Sequence, residues 1–232
     1  MYKEKLLIVR FNNEIGRDEI PLFRGAVISA MENTDVLFHN HNGDKALRYA
    51  YPLIQYKRIN RKASIVCIGD GTSVIGQLFS SDNFDVYLGK RKMKLEVESI
   101  KANSFLIQLW NDEFEYHINH WLPLNQENYN KYLVMDSVVE KCTMLESLLT
   151  GNILSFAKGL GIFFDQKVQC KITSINEPYL ITYKGVKMMG FDSEFKTNVS
   201  LPDYIGLGKG VSLGMGTVVR KRERNVNNET NE

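Results

Sequence analysis

The order in which strand-like and helix-like periodicities follow one another constrains the fold of this chain more than any other feature. Apolar and polar residues alternate in the strand-like segments, whereas Phe23, Val27 and Ala30 recur at the spacing of one helix face, with Asp18 as the predicted N-cap. These segments come, in order, at residues 6–11, 18–32, 51–59, 64–68, 71–79, 93–98 and 105–109. The order β-α-β-β-α-β, with one additional strand, is typical of a ferredoxin-like domain.

The second half of the chain repeats this order more loosely. Its predicted segments are a strand at 116–122, a helical region at 126–158 with a break at Gly151-Asn152, a strand at 167–173, and a hairpin with its turn at 183–186. We therefore predict an α+β protein with two tandem ferredoxin-like domains, residues 1–112 and 113–224, joined near residues 111–113. The polar tail, residues 225–232, is predicted to be disordered.

Residues 206–216 contain five glycines and one lysine and lead directly into a strand-like run. Ordering glycine costs more entropy than ordering other residues, so this composition indicates positive φ or a close approach of the backbone to a ligand. Main-chain N–H groups of such a loop can bind phosphate, and Lys209 would add positive charge. A P-loop is excluded because Gly210 follows the lysine, and a dinucleotide fingerprint because no helix follows. The alternative is a flexible glycine hairpin between two strands. Under either interpretation the segment is expected to be a surface hairpin that contributes little to the core.

Charge and cysteine content narrow the class of protein. The net charge of the 232 residues is +2, yet positive residues cluster at 57–62, 90–94 and 220–224. A phosphate-binding face requires such clusters, although solvated strand ends produce them too. The three cysteines are far apart, which argues against a disulfide framework or a zinc site and favours the cytoplasm. The apolar run at 6–9 is too short for a signal peptide or a membrane span.

Two of the four histidines, His39 and His41, lie in the polar segment 38–44. Histidine exchanges protons near neutral pH because its unperturbed pKa is about 6.5, so the pair could supply a base and an acid. His-x-His is also a metal-ligand spacing, although no cysteine is placed to complete a zinc site. Surface histidines without a chemical role are the third interpretation. His117 and His120 are predicted to be core or interface residues.

Five segments together resemble a known family. They are Leu-Phe-His-Asn-His at 37–41, Arg-Tyr-Ala-Tyr-Pro-Leu-Ile-Gln-Tyr-Lys at 48–57, Trp-Leu-Pro-Leu-Asn at 121–125, Leu-Thr-Gly-Asn-Ile-Leu-Ser at 149–155 and Gly-Leu-Gly-Lys-Gly at 206–210. With them the chain resembles the CRISPR repeat-RNA processing endoribonucleases of the RAMP superfamily, in the b-type branch of the sixth-numbered Cas family. The resemblance covers nearly the whole chain, and the first two segments are its most specific markers.

The resemblance implies two RAMP-type, RRM-like domains and an RNA cleavage in antiviral defence that needs no metal or cofactor. A ribose 2′-OH attacks the adjacent phosphorus and leaves a 2′,3′-cyclic phosphate and a 5′-OH. This reaction requires a base, an acid, and cationic or N–H donors for the phosphorane. By resemblance His41 is the principal acid/base, Tyr49 supports it and His39 lies nearby, with Tyr51 as the alternative to Tyr49.

RNA is expected to be held by shape and charge, since no RRM-type aromatic signature is present. The first helix has no lysine, which leaves phosphate neutralisation to Arg24, Arg48 or Lys57. The predicted RNA-binding residues are Arg48, Lys57, Arg58, Gly206, Gly208, Lys209 and Gly210.

The expected partner is CRISPR repeat RNA; other Cas effector subunits and a second copy of the chain are further candidates, and a membrane is not expected. One alternative function is a non-catalytic RNA-binding RAMP subunit, which would have no need of the His39/His41 pair. The other is a metal-dependent hydrolase that uses the same two histidines as ligands.

Overall fold

Both halves of the chain have the predicted α+β architecture. The structure, a computed structural model, describes residues 2–30, 51–79 and 84–222. Within these ranges a four-stranded and a five-stranded antiparallel sheet, with the helices packed on them, form two ferredoxin-like domains, and the first domain also has a two-stranded sheet. No helix in these ranges is long and apolar enough to cross a membrane.

The first domain has the predicted β-α-β-β-α-β order. Its elements are β1 (Tyr2–Glu14), α1 (Ile20–Ser29), β2 (Ile54–Ile59), β3 (Lys62–Ile68), α2 (Gly71–Val74), α3 (Gly76–Phe79), β4 (Asp85–Leu88), β5 (Arg91–Lys94) and β6 (Val97–Ile107). The sheet order is β2-β3-β1-β6, and β4 pairs with β5 separately. Asn60 and Arg61 join β2 to β3 with φ of 50° and 70°, as a two-residue type I′ hairpin requires. The alternation predicted as one strand at 93–98 is divided between β5 and β6.

The second domain repeats this strand order. Its elements are β7 (Leu109–Trp121), α4 (Gln126–Val134), α5 (Val138–Gly159), β8 (Cys170–Ile175), β9 (Tyr179–Tyr183), β10 (Val186–Val199), a 3-10 turn (Val211–Leu213) and β11 (Thr217–Arg220). The sheet order is β11-β7-β10-β8, and β9 pairs with the first residues of β10. Lys184 and Gly185, with φ of 50° and 78°, form the predicted hairpin turn.

The helices differ from prediction in two places. The N-cap of α1 is Glu19 rather than Asp18, and its carboxylate accepts a hydrogen bond from the Gly16 N–H (2.6 Å). The region 126–158 is two helices, because the Ser137 hydroxyl accepts a hydrogen bond from the Glu140 N–H and begins α5 anew. Gly151 lies inside α5 without breaking it, because the buried apolar face of α5 offsets the roughly 1 kcal/mol that glycine costs a helix.

β6 ends at Ile107 and β7 starts at Leu109, so the join that we predicted at 111–113 lies inside the continuous strand β7. The domain limits stay a prediction. The tail at 225–232 lies outside the described residues.

The first sheet is buried on both of its faces along β2 and β3, whereas most of β6 is exposed. Val9 of β1 and Tyr56 of β2 belong to the apolar cluster that includes the buried face of α1. Side chains of successive strand residues point to opposite faces. Leu6 accordingly packs in the cluster shared with the second domain, and Lys57 reaches Thr217 of that domain. The second domain therefore covers the face of the sheet that α1 leaves open.

Candidate functional site

The glycine-rich loop, residues 206–216, has the conformation that its composition predicts. Gly208, Gly210, Gly214 and Gly216 have φ between +59° and +89°, where a side chain is disfavoured. The 3-10 turn lies between the second and third of these glycines. The positive-φ explanation for the glycines is therefore confirmed.

Several N–H groups of this loop have no acceptor among the described residues. They are those of Gly208, Gly210, Val211 and Ser212, whereas the remaining loop N–H groups bond to protein oxygens. The Lys209 side chain is exposed beside them. Unpaired N–H groups in a turn, next to an ammonium group, are the donors with which proteins bind phosphate.

The loop is also part of the core, and the expectation of a surface hairpin with little core contribution is wrong. Leu207, Val211 and Leu213 are buried. A Cβ on Gly208 would lie 3.0 Å from the Trp121 ring, and one on Gly216 would lie 1.8 Å from the Leu207 carbonyl oxygen. Close packing against the protein interior therefore explains these glycines as well as positive φ does.

Side chains of β2 and the residues before it hold the start of the loop. The Gly206 N–H donates to Gln55 Oε1 (3.0 Å), and the Tyr51 hydroxyl donates to the Gly206 carbonyl (2.8 Å). Gln55 Nε2 in turn donates to the Tyr51 hydroxyl (2.8 Å). These bonds are buried, so they fix the position of the loop relative to the first sheet.

Lys57 lies directly beneath the loop and is 1% exposed. Its Nζ donates to Thr217 Oγ1 (3.2 Å), and burial lowers the pKa of Lys57 to about 7. A direct contact between Lys57 and RNA would require the loop to move. That contact stays a prediction.

A cleft of about 660 Å³ lies between the two domains beside the second half of the loop. Arg17, Arg58 and Arg61 line it from the first domain. The Arg58 Nε–H donates to the Ile15 carbonyl (2.6 Å), and Arg61 pairs with Glu14 (3.1 Å). Neither Arg17 nor Arg58 forms an ion pair within the described parts of the chain. Both therefore offer positive charge to the cleft.

Three hydrogen-bonded side chains face the arginines from the second domain. Asp192 Oδ1 accepts from the His120 N–H (2.7 Å) and from the Tyr179 hydroxyl (2.8 Å), and that hydroxyl also bonds to His120 Nδ1. His120 has a φ of 53°, uncommon for a residue other than glycine. Burial, followed by the Arg17 guanidinium, lowers the pKa of His120 and favours its neutral form. As predicted, His120 is an interface residue.

Four predicted site residues, His39, His41, Arg48 and Tyr49, lie outside the described residues. Tyr51 is described and is buried, and its ring packs edge-on against another aromatic ring. Burial also raises the pKa of Tyr51, so its hydroxyl stays protonated. These contacts are structural, and the assignment of the assisting tyrosine to Tyr49 stays a prediction.

The other two positive clusters are largely offset by carboxylates. Their ion pairs are Arg91–Glu19 (2.9 Å), Lys92–Asp85 (2.9 Å), Lys221–Glu194 (2.8 Å) and Arg222–Asp203 (3.2 Å). In the described ranges, no three His, Cys, Asp or Glu side chains are arranged to hold a metal ion. The His-x-His segment lies outside those ranges, so the metal alternative stays open to experiment.

Sequence reasoning missed several residues of this region: Arg17, Gln55, Tyr179, Asp192 and Thr217. No local pattern singles them out, because Arg17, Gln55 and Thr217 meet their partners only when the two domains pack, and Tyr179 meets Asp192 only when β9 pairs with β10. The one available signal was the pair of polar residues Gln55 and Lys57, which share one face of a strand that pairs with β3, whose residues 65–68 are all apolar.

Comparison with known proteins agrees with this architecture. The Cas6b N-terminal domain matches residues 3–106 and the Cas6b C-terminal domain matches residues 108–221. An uncharacterised protein of Methanocaldococcus jannaschii is 39% identical over 140 residues, which cover 60% of this chain and 88% of that protein.

Two solved structures are similar over 95% of this chain and 100% of their own. One is a crystal structure of Cas6b, with a TM-score of 0.86 and 27% identity. The other is a crystal structure of the CRISPR RNA processing endoribonuclease Cas6b, with a TM-score of 0.72 and 28% identity. Because the two domain matches together account for nearly the whole chain, the protein belongs to the Cas6b family of RAMP-type CRISPR processing proteins.

Proposed function

We propose that this protein is a metal-independent endoribonuclease that cleaves CRISPR precursor repeat RNA. The ribose 2′-OH at the cut site attacks the adjacent phosphorus, and the bond from phosphorus to the 5′-oxygen of the next nucleotide breaks. The products are a 2′,3′-cyclic phosphate and a 5′-OH. Membership of the Cas6b family and the similarity to a CRISPR RNA processing endoribonuclease support this proposal.

The reaction needs groups that take a proton from the 2′-OH and return one to the leaving 5′-oxygen. We assign His41 as the principal acid/base, with His39 beside it and Tyr49 in support. Histidine suits both transfers because its charge changes near neutral pH. No step of this scheme uses a metal ion.

The observation that carries the RNA-binding part of the proposal is the set of N–H groups on the glycine-rich loop that have no acceptor in the described parts of the chain. A phosphate placed there would accept hydrogen bonds from Gly208 and Gly210 and would lie beside the exposed Lys209. Arg58 in the interdomain cleft, together with Arg48, would contact further phosphates of the same RNA.

The proposal is tested with a transcript of the repeat from the CRISPR arrays of the source genome. The purified protein is expected to cleave this RNA in EDTA, and mass spectrometry of the fragments is expected to show the cyclic phosphate. Cleavage only after addition of a divalent ion would support the metal-dependent alternative.

A matched RNA with a single 2′-deoxy residue at the cut site isolates the nucleophile. This RNA is expected to bind with unchanged affinity and to resist cleavage. Its cleavage would contradict 2′-OH attack. Tight binding of the unmodified repeat without any cleavage would favour the non-catalytic RAMP subunit. In a separate measurement, light scattering with and without RNA would reveal a homodimer.

A further inference from the structure

A lysine without a carboxylate partner is buried beneath the glycine-rich loop, and the proposed mechanism gives it no chemical step. Lys57 is 1% exposed, and within the described residues its amino group has one hydrogen bond, to Thr217, and no ion pair. An uncompensated buried cation destabilises a fold. Such groups are found preferentially where function requires them.

The amino group of Lys57 lies where the two ends of the loop meet. It bonds to Thr217, the residue that follows the loop, and a Cβ on Gly206 would lie 3.0 Å from its Nζ. Gly206 and Thr217 are joined to each other by an antiparallel bridge. The same Cβ would lie 2.7 Å from Val211 Cγ1 and 2.9 Å from the Met215 carbonyl oxygen, so glycine at this position preserves the packing of the loop as well as the space around the amino group.

Lys57 lies on β2, and β2 and the residues just before it connect the loop to the predicted acid/base segment. Gln55 and Tyr51 hold the Gly206 backbone, and Tyr51 lies only two residues after Tyr49 in the sequence. Residues 51–59 therefore fix the position of the loop relative to Tyr51, which follows the predicted acid/base segment in the sequence.

We propose that Lys57 is a positioning residue for RNA cleavage: its amino group holds the two ends of the loop and, once protonated, places positive charge behind the N–H groups that bind the phosphate. This inference rests on the proposed function, which assigns the loop to the RNA backbone. The unpaired N–H groups of Gly208 and Gly210 follow Gly206 closely in the chain. A buried charge acts more strongly on a bound phosphate than an exposed charge at the same distance, because water screens it less.

RNA binding then favours the charged form of Lys57. Burial lowers its pKa from the ordinary 10.5 to about 7, so most of the amino groups are neutral at pH 8 in the free protein. Its neighbours add little charge: Ser64 is opposite on β3, residues 211–213 carry no ionisable side chain, Tyr51 is neutral, and Lys209 is exposed. A nearby phosphate raises the pKa of the amino group, and binding at pH 8 takes up a proton.

The test compares wild-type protein with Lys57→Met, which keeps the length of the side chain and removes its charge. Lys101→Met, at an exposed lysine of β6 in the same sheet, is the matched control. At saturating protein, Lys57→Met is expected to cleave the repeat RNA at least about tenfold more slowly. Calorimetry with the 2′-deoxy RNA at pH 8, in buffers of different ionisation enthalpy, is expected to show proton uptake that Lys57→Met lacks and Lys101→Met retains.

Fold stability separates positioning from a structural role. The folded pKa of Lys57 is below the unfolded one, so this group makes the wild type less stable below pH 7, and the penalty disappears as pH rises toward 10.5. Lys57→Met is therefore expected to be more stable than wild type at pH 6 and nearly equal to it at pH 10. A variant that loses stability and cleavage together would overturn the proposal, as would unchanged cleavage and proton uptake. If the wild type binds repeat RNA without cleaving it, the proposed function fails, and proton uptake alone decides the role of Lys57.

Discussion

At the scale of single residues, substitution of His41 is expected to separate RNA cleavage from RNA binding. His41→Ala is expected to lower the single-turnover cleavage rate by about 10²–10⁴-fold, which is the usual contribution of one positioned acid or base. RNA affinity is expected to change little, because phosphate contacts elsewhere dominate it. Rate and affinity are measured on the same RNA, by gel assay and by fluorescence anisotropy.

His39→Ala is the comparison variant, since it removes the other histidine of the pair. A smaller loss than that of His41→Ala is expected, because His39 has the secondary role. Parallel loss of affinity and rate in His41→Ala would mean that this histidine is a contact or folding residue. Equal losses in both variants would mean that the two histidines share the role.

Properties that depend on residue type alone could be predicted from the sequence. The burial of a single side chain could not. The glycine conformations follow from the lack of a Cβ, so the positive φ values of residues 208–216 could be predicted. In the sequence the charged Lys57 follows the apolar Tyr56, and this pattern indicates a strand with one exposed face. Its burial arises because the second domain covers that face of the sheet, and no residue near Lys57 in the sequence carries this information.

At the scale of elements, substitutions at two adjacent positions of the glycine-rich loop are expected to have different effects on stability and RNA binding. Gly208→Val places a branched side chain at a φ of +89°, with its Cβ 3.0 Å from the Trp121 ring. Strain of this kind costs about 1–3 kcal/mol, so thermal melts are expected to show a clear loss of stability. An unchanged melting temperature with normal RNA affinity would show that the loop can rearrange without cost.

Lys209→Ala, next to Gly208, removes an exposed charge and is expected to leave the melting temperature unchanged. RNA affinity is expected to fall, and the slope of log affinity against log salt is expected to flatten by roughly one unit for one lost phosphate contact. Arg222→Ala is the control, because that exposed cation is already paired with Asp203. The same salt slope in Lys209→Ala and wild type would remove Lys209 from the interface.

The elements themselves were predictable where periodicity and turn chemistry agree. The hairpin turn at 183–186 could be located because Lys184-Gly185 suits a turn with two positive φ values. The sequence of the helical region 126–158 does not indicate the boundary at Ser137, whose capping hydroxyl begins a second helix. Gly151, the predicted break, is helical because Leu149 and Ile153 on either side of it are buried.

At the scale of the whole molecule, the two domains share one core. Leu6 and Val66 of the first sheet and Trp121, Phe156 and Phe191 of the second domain belong to the same buried cluster. Leu213 of the glycine-rich loop packs in the cluster beneath α1. Separation of the domains would expose apolar surface on both sides, at a cost of roughly 25 cal/mol per Å².

The protein is therefore expected to unfold in a single cooperative transition, although its chain comprises two ferredoxin-like folds. In differential scanning calorimetry the calorimetric and van't Hoff enthalpies are expected to agree within error. A fragment that ends at residue 107 is expected to aggregate or remain unfolded, because it leaves Leu6, Val66 and Lys57 on an uncovered sheet face. Two resolved transitions, or a folded and monomeric fragment, would mean that the interface adds little to stability. In that case the geometry of the loop and the cleft would depend on the bound RNA rather than on the shared core.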